Sequence, residues 1–276
     1  MIARMFPAAV YHSLSFAIFR ADVCVYTSPL FTDMVGTADL STVAAHGGKL
    51  TDGFLPTGKR ILRSRFSLLG DPYILLVILP RSEHAGSASD PVGWAEQDAS
   101  PVTDPFRALL QFADPQKVHK RPVSQAALYR ILSEKVRAEI SDRIEFHDLH
   151  ILPEERSALL DPDGFLAAAA LLFSELCLRN TDLSVSIVQE DAHPCFRIHA
   201  QNTHVNSFLL TLIHAVCSAS GACFSSSDQY LSLLLPDYHA DVYLLRADVD
   251  YGNTLPFSVL RLLFGVPAHT LLHTPL

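Results

Sequence analysis

Histidine and cysteine side chains are concentrated between residues 193 and 204, where zinc binding is the first chemistry to consider. His193, Cys195, His199 and His204 carry imidazole and thiol groups, which bind zinc when four of them converge. On a strand, Cys195 and His199 point to one face, whereas His193 falls in a turn and His204 in the next loop. The spacing therefore favours no metal site, and zinc is the alternative.

The cysteines of this chain do not form a paired pattern. They are odd in number and contain no C-x-x-C motif: Cys24, Cys177, Cys195, Cys217 and Cys223. Free thiols in a reducing cytoplasm are the simplest interpretation. Cys177 and Cys217 lie on apolar segments, where a free cysteine is typically a small core residue.

Three common catalytic motifs are missing from the sequence. It has no G-x-S-x-G nucleophile turn, no H-E-x-x-H zinc motif and no P-loop. Positive charge is concentrated in the cluster of Lys117, His119, Lys120 and Arg121. We interpret this cluster as a solvated junction, with contact to an anion or an acidic partner as the alternative.

Composition excludes several classes of protein. The 276 residues are 49% hydrophobic and 18% charged, which is enough apolar matter for a core and too little charge for a disordered chain. The 21 Lys and Arg against 29 Asp and Glu argue against nucleic-acid binding. The longest apolar run, residues 165–173, is far shorter than the roughly 20 residues of a membrane span. With no signal-like segment at residues 1–16, we expect a cytoplasmic protein with no membrane span.

A linker divides the chain into two parts. Residues 81–104 are rich in Ser, Ala, Asp, Pro and Gly, and they contain the single tryptophan, Trp94, which we expect to dock on another element. Before the linker, alternation predicts short strands around a turn at residues 21–22, and residues 61–80 predict a hairpin that turns at 70–72. Short strands, a loop-rich middle and a closing hairpin make residues 1–80 resemble a small PAS-like sensor domain.

The part after the linker predicts helices layered on one sheet. Hydrophobic periodicity and capping residues predict six elements in this order: a helix at 122–140, a strand at 143–151, a helix at 165–180, a hairpin at 183–201, a helix at 206–220 and a strand at 229–235. Residues 153–164 are predicted as a loop. In the tail, 237–276, DVYLLRADV alternates as a strand does, and 255–267 reads as a short, very apolar helix. We expect the tail to cover a face of its own domain, with a second protein as the alternative cover.

This order resembles the Bergerat-type ATPase lobe of sensor histidine kinases. The resemblance rests on LLDPDGFLAAAALLFSEL, with its D-P-D opening at residues 161–163, on GACF at 221–224 and on LSLLLP at 231–236. It implies a remnant of the dimerisation hairpin helix at 105–121, an ATPase-like α/β sandwich at 122–236 and an extension at 237–276. The fold class expected for the whole chain is α+β.

The family's functional positions are degenerate in this sequence. Counting from the D-P-D opening places Leu171 where the family has an activating polar residue and Glu175 where it has the magnesium-binding Asn. Asn202 stands where the family's adenine-binding D-x-G-x-G motif would begin. By this resemblance, its side chain would accept a hydrogen bond from the adenine amino group. In the alternative interpretations, Glu175 pairs with Arg179 one turn later and Asn202 caps a turn.

Two further requirements of the family's chemistry are not met. No glycine occurs between residues 164 and 221, although a triphosphate cradle needs closely approaching backbone amides. Only residues 147–153 resemble a phosphoacceptor motif, and they follow the wrong helix. The sequence thus predicts no catalytic residue, no metal and no resident cofactor.

The resemblance and these losses together predict a pseudokinase of two-component signal transduction, a regulatory protein that works by protein binding. Its expected partner is a signalling protein such as a kinase or response regulator, or a second copy of itself. Two alternatives stay open: a nucleotide-binding kinase with an altered lid that uses ATP and magnesium, and a small-molecule sensor that binds through the N-terminal domain.

Overall fold

The computed structural model describes residues 15–28, 31, 35–46, 49–50, 52–79, 100–147, 156–190, 193–227 and 229–238. These residues belong to two compact units, which divide between Arg107 and Ala108. The expectations for Trp94, for residues 148–153 of the phosphoacceptor-like motif and for the tail beyond Tyr238 lie outside the described residues.

The N-terminal unit contains a five-stranded antiparallel sheet. Its strands are β1 (Ser15–Arg20), β2 (Val23–Thr27), β3 (Gly53–Phe54), β4 (Arg60–Leu68) and β5 (Asp71–Leu79), in the order β2-β1-β5-β4-β3, and helix α1 (Thr37–His46) lies between β2 and β3 in sequence. Both predicted hairpins are confirmed. The second turns at Leu69–Gly70, before the expected position, because Asp71 already pairs with Leu68. Gly70 has a φ of +87°, which suits a residue without Cβ.

The central strands of this sheet, β1 and β5, are buried on both faces. Ala17, Phe19, Leu76 and Ile78 on one face form a core cluster with residues of α1 and the neighbouring loops. The rings of Phe16 and Phe66 on the other face contact Phe106 of helix α2 (Ser100–Phe112), with centroids 6.5 and 5.0 Å apart. Helix α2 begins inside the segment predicted as linker.

The C-terminal unit contains two sheets, so the prediction of a single sheet was wrong. The larger has the order β11-β12-β10-β9-β7, in which β7 runs parallel to β9 and the other pairs are antiparallel. The smaller has the order β13-β8-β6. The strands are β6 (Arg121–Ser124), β7 (Ile144–Phe146), β8 (Ser157–Leu160), β9 (Leu183–Glu190), β10 (His193–Ala200), β11 (Cys223–Ser226), β12 (Tyr230–Leu234) and β13 (Asp237–Tyr238).

Three helices pack on one face of the larger sheet: α3 (Gln125–Glu139), α4 (Pro162–Cys177) and α5 (Ser207–Ser220). The ring of Phe196 on β10 contacts Tyr129 of α3 at 4.7 Å and Phe165 of α4 at 6.0 Å. The ring of Phe224 on β11 contacts His214 of α5 at 4.8 Å. The sheet and these helices therefore share one aromatic core.

Capping residues fix the bounds of α4 and α5. The Asp161 carboxylate accepts bonds from the backbone N–H groups of Asp163 and Gly164, and proline follows it at the first helical position. The Asn206 side chain accepts from the Phe208 N–H, and Gly221 ends α5 in the left-handed conformation at φ +97°. Both predicted helices are confirmed, but α4 begins and ends three residues before the predicted 165–180, because Asp161 is its N-cap.

Two short segments differ from the sequence prediction. Residues 121–124 form β6 rather than the start of a helix, with Ser124 as the N-cap of α3. Residues 157–160 form β8 rather than part of a loop, because Arg121 to Ser124 pair with Leu160 to Ser157. The α+β class is confirmed. Among the described residues, no helix has the length and apolar character needed to cross a membrane.

Candidate functional site

The first sequence-predicted site residue, Glu175, lies near the C-terminal end of α4 and is 3% exposed. Its Oε1 accepts a bond from Nη2 of Arg179 at 3.3 Å. The same oxygen accepts the backbone N–H of Asn206, the N-cap of α5, at 3.4 Å. Glu175 therefore connects the end of one helix to the beginning of the next.

The second predicted residue, Asn202, lies in the loop between β10 and α5. Its backbone N–H donates to Oδ1 of Asn180 at 2.7 Å, and Nδ2 of Asn180 donates back to the Asn202 carbonyl at 2.9 Å. The Asn202 Oδ1 accepts the backbone N–H of His204 at 2.9 Å. This last bond is the turn-capping pattern typical of asparagine.

A cavity of about 870 Å³ opens beside this loop. Its described lining is the loop 201–207 together with Leu210, Ser226 and Ser227. Backbone groups, hydroxyls and amides supply the polar atoms of this lining, which contains no lysine or arginine. Asn202 is part of the lining and Glu175 is not.

Leu171, the other position matched to the family's helix, is completely buried four residues before Glu175. The loop from β10 to α5 spans residues 201–206 and contains no glycine. Glu175 binds Asn206 whereas Asn202 binds Asn180 and His204, so the two candidate residues do not converge on a single ligand position.

The described side chains of the histidine and cysteine cluster do not converge either. Cys195 is buried, while His199 is exposed with its Nε2 3.4 Å from Oγ of Ser186. Within the described part of the chain, no three His, Cys, Asp or Glu side chains are grouped as a metal site would require. All five cysteines are free thiols. Burial raises the pKa of Cys217 to about 12, with a smaller contribution from Cys223, so Cys217 is not a thiolate near neutral pH.

The basic cluster forms local contacts. Lys117 lies 3.6 Å from the Asp114 carboxylate, and the backbone N–H of His119 donates to Oδ2 of Asp161. The second bond attaches the segment before β6 to the N-cap of α4. Both contacts agree with the interpretation of this cluster as a junction.

A buried carboxylate in the N-terminal unit escaped the sequence reasoning. Asp39 of α1 is completely buried, accepts the backbone N–H and the hydroxyl of Thr57, and lies 3.6 Å from Nζ of Lys59. Its position in the first turn of a helix is the one local signal that could have marked it. Elsewhere in this unit, a cleft of about 670 Å³ is lined by residues that include Arg20, Arg65 and Ile74.

The comparisons with known proteins give structural neighbours only. No protein-family model matches the chain, and no curated protein matches it. The histidine kinase AdeS of Acinetobacter baumannii is similar over 51% of this chain and 79% of its own, at 9% identity and a TM-score of 0.37. Full-length ShkA in complex with AMPPNP is similar over 50% of this chain and 36% of its own, at 13% identity and a TM-score of 0.35. A histidine kinase from Burkholderia phymatum is similar over 50% of this chain and 78% of its own, at 15% identity and a TM-score of 0.33. The chain thus spans about a third of ShkA.

Proposed function

We propose that this chain is a histidine-kinase-like signalling protein whose nucleotide chemistry is lost and which acts by binding another protein. The partner is a signalling kinase or a response regulator, or a second copy of the chain. The N-terminal unit, with its short strands and closing hairpin, serves as the PAS-like regulatory domain. The C-terminal unit serves as the binding module.

The observation that carries this proposal is that the Glu175 and Asn202 side chains already accept hydrogen bonds from other residues of the chain. A magnesium ligand must offer carboxylate or carbonyl oxygens to the ion. Oε1 of Glu175 already accepts from Arg179 and from the Asn206 N–H. The Asn202 oxygen likewise accepts from His204.

The loop beside the cavity also supports the loss of nucleotide chemistry. A bound triphosphate carries several negative charges, and proteins compensate them with Lys, Arg, magnesium or converging backbone N–H groups. The described lining offers no lysine or arginine. In loop 201–206, the N–H groups of Asn202 and His204 already donate to asparagine oxygens.

The cavity itself favours one alternative, a nucleotide-binding protein with an altered lid. A volume of about 870 Å³ lies within the range of ligand pockets, about 300–1,000 Å³. Serine hydroxyls and asparagine amides can recognise a base without a charged group. Under this alternative, Asn202 contacts the base and Glu175 retains its structural bonds.

Calorimetric titration of the full chain with ATP and magnesium, together with a thermal-shift scan, tests the proposal. We expect no binding heat and no shift at millimolar nucleotide. Saturable binding at or below about 100 μM, which corresponds to roughly 5.5 kcal/mol, would overturn it. Asn202→Ala is the matched variant, because loss of that binding in the variant would assign the nucleotide to the cavity.

The sensor alternative has its own measurement. Native mass spectrometry of the full chain detects a small molecule that co-purifies with it. A bound molecule that protects β4 and β5 from hydrogen exchange would assign the sensing role to the N-terminal unit. If the measured mass is that of the chain alone, protein binding is the activity to examine, by size-exclusion chromatography and by pull-down with purified kinases and response regulators.

A further inference from the structure

Strand β11 forms one edge of the larger sheet of the C-terminal unit. It pairs with β12 on one side, and within the described part of the chain no strand pairs with its other side. Cys223, Ser225 and Ser226 are exposed, while Phe224 is buried against α5. The backbone N–H and C=O groups on the open side of an edge strand can pair with a further strand.

The other edge strands of this unit carry residues that discourage such pairing. β6 contains Arg121 and Pro122, and β7 contains the exposed Glu145. β13, a strand of two residues, begins with Asp237. Charges and proline on edge strands are the usual means by which proteins prevent strand addition. β11, with the sequence CFSS, contains neither, so its edge is chemically suited to accept a strand.

A stripe of α5 runs beside this edge. The His214 ring contacts Phe224 of β11 with centroids 4.8 Å apart, and Leu210, one turn earlier, lines the same cavity as Ser226. His214 is exposed, and so is Ser218, one turn later. Residues four apart lie on one face of a helix, so Leu210, His214 and Ser218 form a stripe along the strand. We call this stripe and β11 together the β11 edge.

The β11 edge contains no acidic residue, lysine or arginine. Such residues make up 18% of the chain, but none occurs in 207–227, which includes all of α5 and β11. A charged partner surface would lose hydration here without gaining an opposite charge. A second copy of the edge brings no such charge, and two copies related by a two-fold axis are self-complementary. The charge distribution therefore favours the chain itself as the partner.

A two-fold axis perpendicular to the sheet satisfies the backbone and the helices together. The two β11 strands then run antiparallel and exchange backbone hydrogen bonds, which joins the two sheets into one. Both α5 helices lie on the same side of the joined sheet and meet through their stripes, at the usual interaxial distance of about 8–10 Å.

We propose that the β11 edge is a homodimer interface, in which β11 pairs with β11 and α5 packs on α5 of a second copy. The inference rests on the proposed function, because it selects the second copy from the partners named there. The patch is small: α5 is about 21 Å long at 1.5 Å per residue, and the strand has four residues. Each partner therefore contributes much less than the roughly 800 Å² of a standard interface, and we expect a reversible dimer with a dissociation constant of about 10–100 μM.

Sedimentation equilibrium of the full chain tests the interface, over a range of about 5–500 μM that brackets this dissociation constant. We expect the average mass to rise from that of a monomer towards that of a dimer. In Ser225→Lys, the dissociation constant should rise about tenfold or more, because like charges meet near the two-fold axis. Ala138→Lys, the matched control, adds the same charge at an exposed position of α3 and should dimerise as the native chain does. A monomeric native chain, or a Ser225→Lys chain that dimerises as well as the control, would overturn the inference.

Crosslinking through Cys223 locates the interface without a charged substitution. Opposite residues of an antiparallel pair share a face, so either Phe224 or Ser225 lies on the two-fold axis. The two Cys223 Cα atoms are then about 8 or 14 Å apart, at 3.4 Å per residue and 4.8 Å between strands. A bismaleimide that spans this distance should join Cys223 to Cys223 in Cys24→Ser, a variant that removes the exposed thiol of the N-terminal unit. Crosslinked dimers without this link, or no crosslinked dimer, would overturn the inference.

The dimer interface and the proposed function can fail separately in these experiments. A monomeric chain that binds a purified kinase or response regulator would overturn the interface and leave the proposed function standing. Saturable ATP binding by a chain that still forms the Cys223 crosslink would support the interface and overturn the proposed function.

Discussion

Replacing Glu175 by leucine distinguishes between two roles for its carboxylate, which are structural hydrogen bonding and magnesium binding. Leucine has a similar volume and no acceptor, so the variant removes both bonds of Oε1, including the one from the Asn206 N–H at the start of α5. If the carboxylate is structural, the free energy of unfolding should fall. If its purpose were to bind an ion, removal of a 3%-exposed charge should leave stability unchanged or raise it.

The magnitude follows from the geometry of the two bonds. Hydrogen bonds to a charged group contribute about 1.5–3 kcal/mol at good geometry. Here the distances are 3.3 and 3.4 Å and the Arg179 side chain is 40% exposed, so about 0.5–1 kcal/mol for each is appropriate. The partial positive charge at the α5 N-terminus adds about 0.5 kcal/mol. We expect a loss of about 2 kcal/mol, or roughly 4–8 °C in Tm for a unit of this size.

Thermal and urea denaturation, followed by circular dichroism, measures this loss. Glu175→Gln keeps one acceptor oxygen and should lose about half as much as the leucine variant. Leu171→Ala is the positive control, because a cavity at this fully buried position of α4 should cost about 3 kcal/mol. A leucine variant as stable as the native chain, beside a clearly destabilised Leu171→Ala, would refute the structural role of Glu175.

Three further outcomes are expected. Gly221→Ala should cost about 2 kcal/mol in urea denaturation, because the residue has a φ of +97° and its new Cβ would lie 2.9 Å from the Leu159 carbonyl oxygen. Asp39→Ala should cost about 3 kcal/mol and increase hydrogen exchange in α1 and around Thr57, because buried donors lose their acceptor. The free energy of unfolding should fall as pH rises above about 9, because the unfolded chain releases the Cys217 proton near pKa 9.0 whereas the folded thiol, with a pKa of about 12, keeps it. In alkaline denaturation, Cys217→Ala should reduce this fall.

Each of these expectations has a control or a contrary result. Gly70 has a φ of +87°, but a Cβ added there would have no atom within 4 Å. Gly70→Ala should therefore lower the free energy of unfolding by less than Gly221→Ala, and equal losses would contradict the clash with Leu159. Unchanged exchange around Thr57 in Asp39→Ala would show that the carboxylate does not hold the loop. An alkaline profile identical in Cys217→Ala and the native chain would exclude the thiol as the source of the pH dependence.

The sequence by itself determined the elements whose signals are local. Helix α5 was found because Asn206 and Gly221 are capping residues at the two ends of an apolar periodic segment. The strands β9 and β10 were found because alternation over 183–201 matches the two-residue period of a sheet. Local chemistry also predicted the Glu175–Arg179 pair, since the two side chains lie one helical turn apart.

Only the tertiary structure decided the elements and bonds that depend on distant partners. The strands β6 and β8 have four residues each, and they exist because Arg121 pairs with Leu160 across 38 intervening residues, which no local pattern records. The bond from the Asn206 N–H to Glu175 likewise appears only once α4 and α5 are packed together. Burial of Cys195 was equally hidden, because alternation tells which side of a strand a residue faces but not how much of that side is exposed.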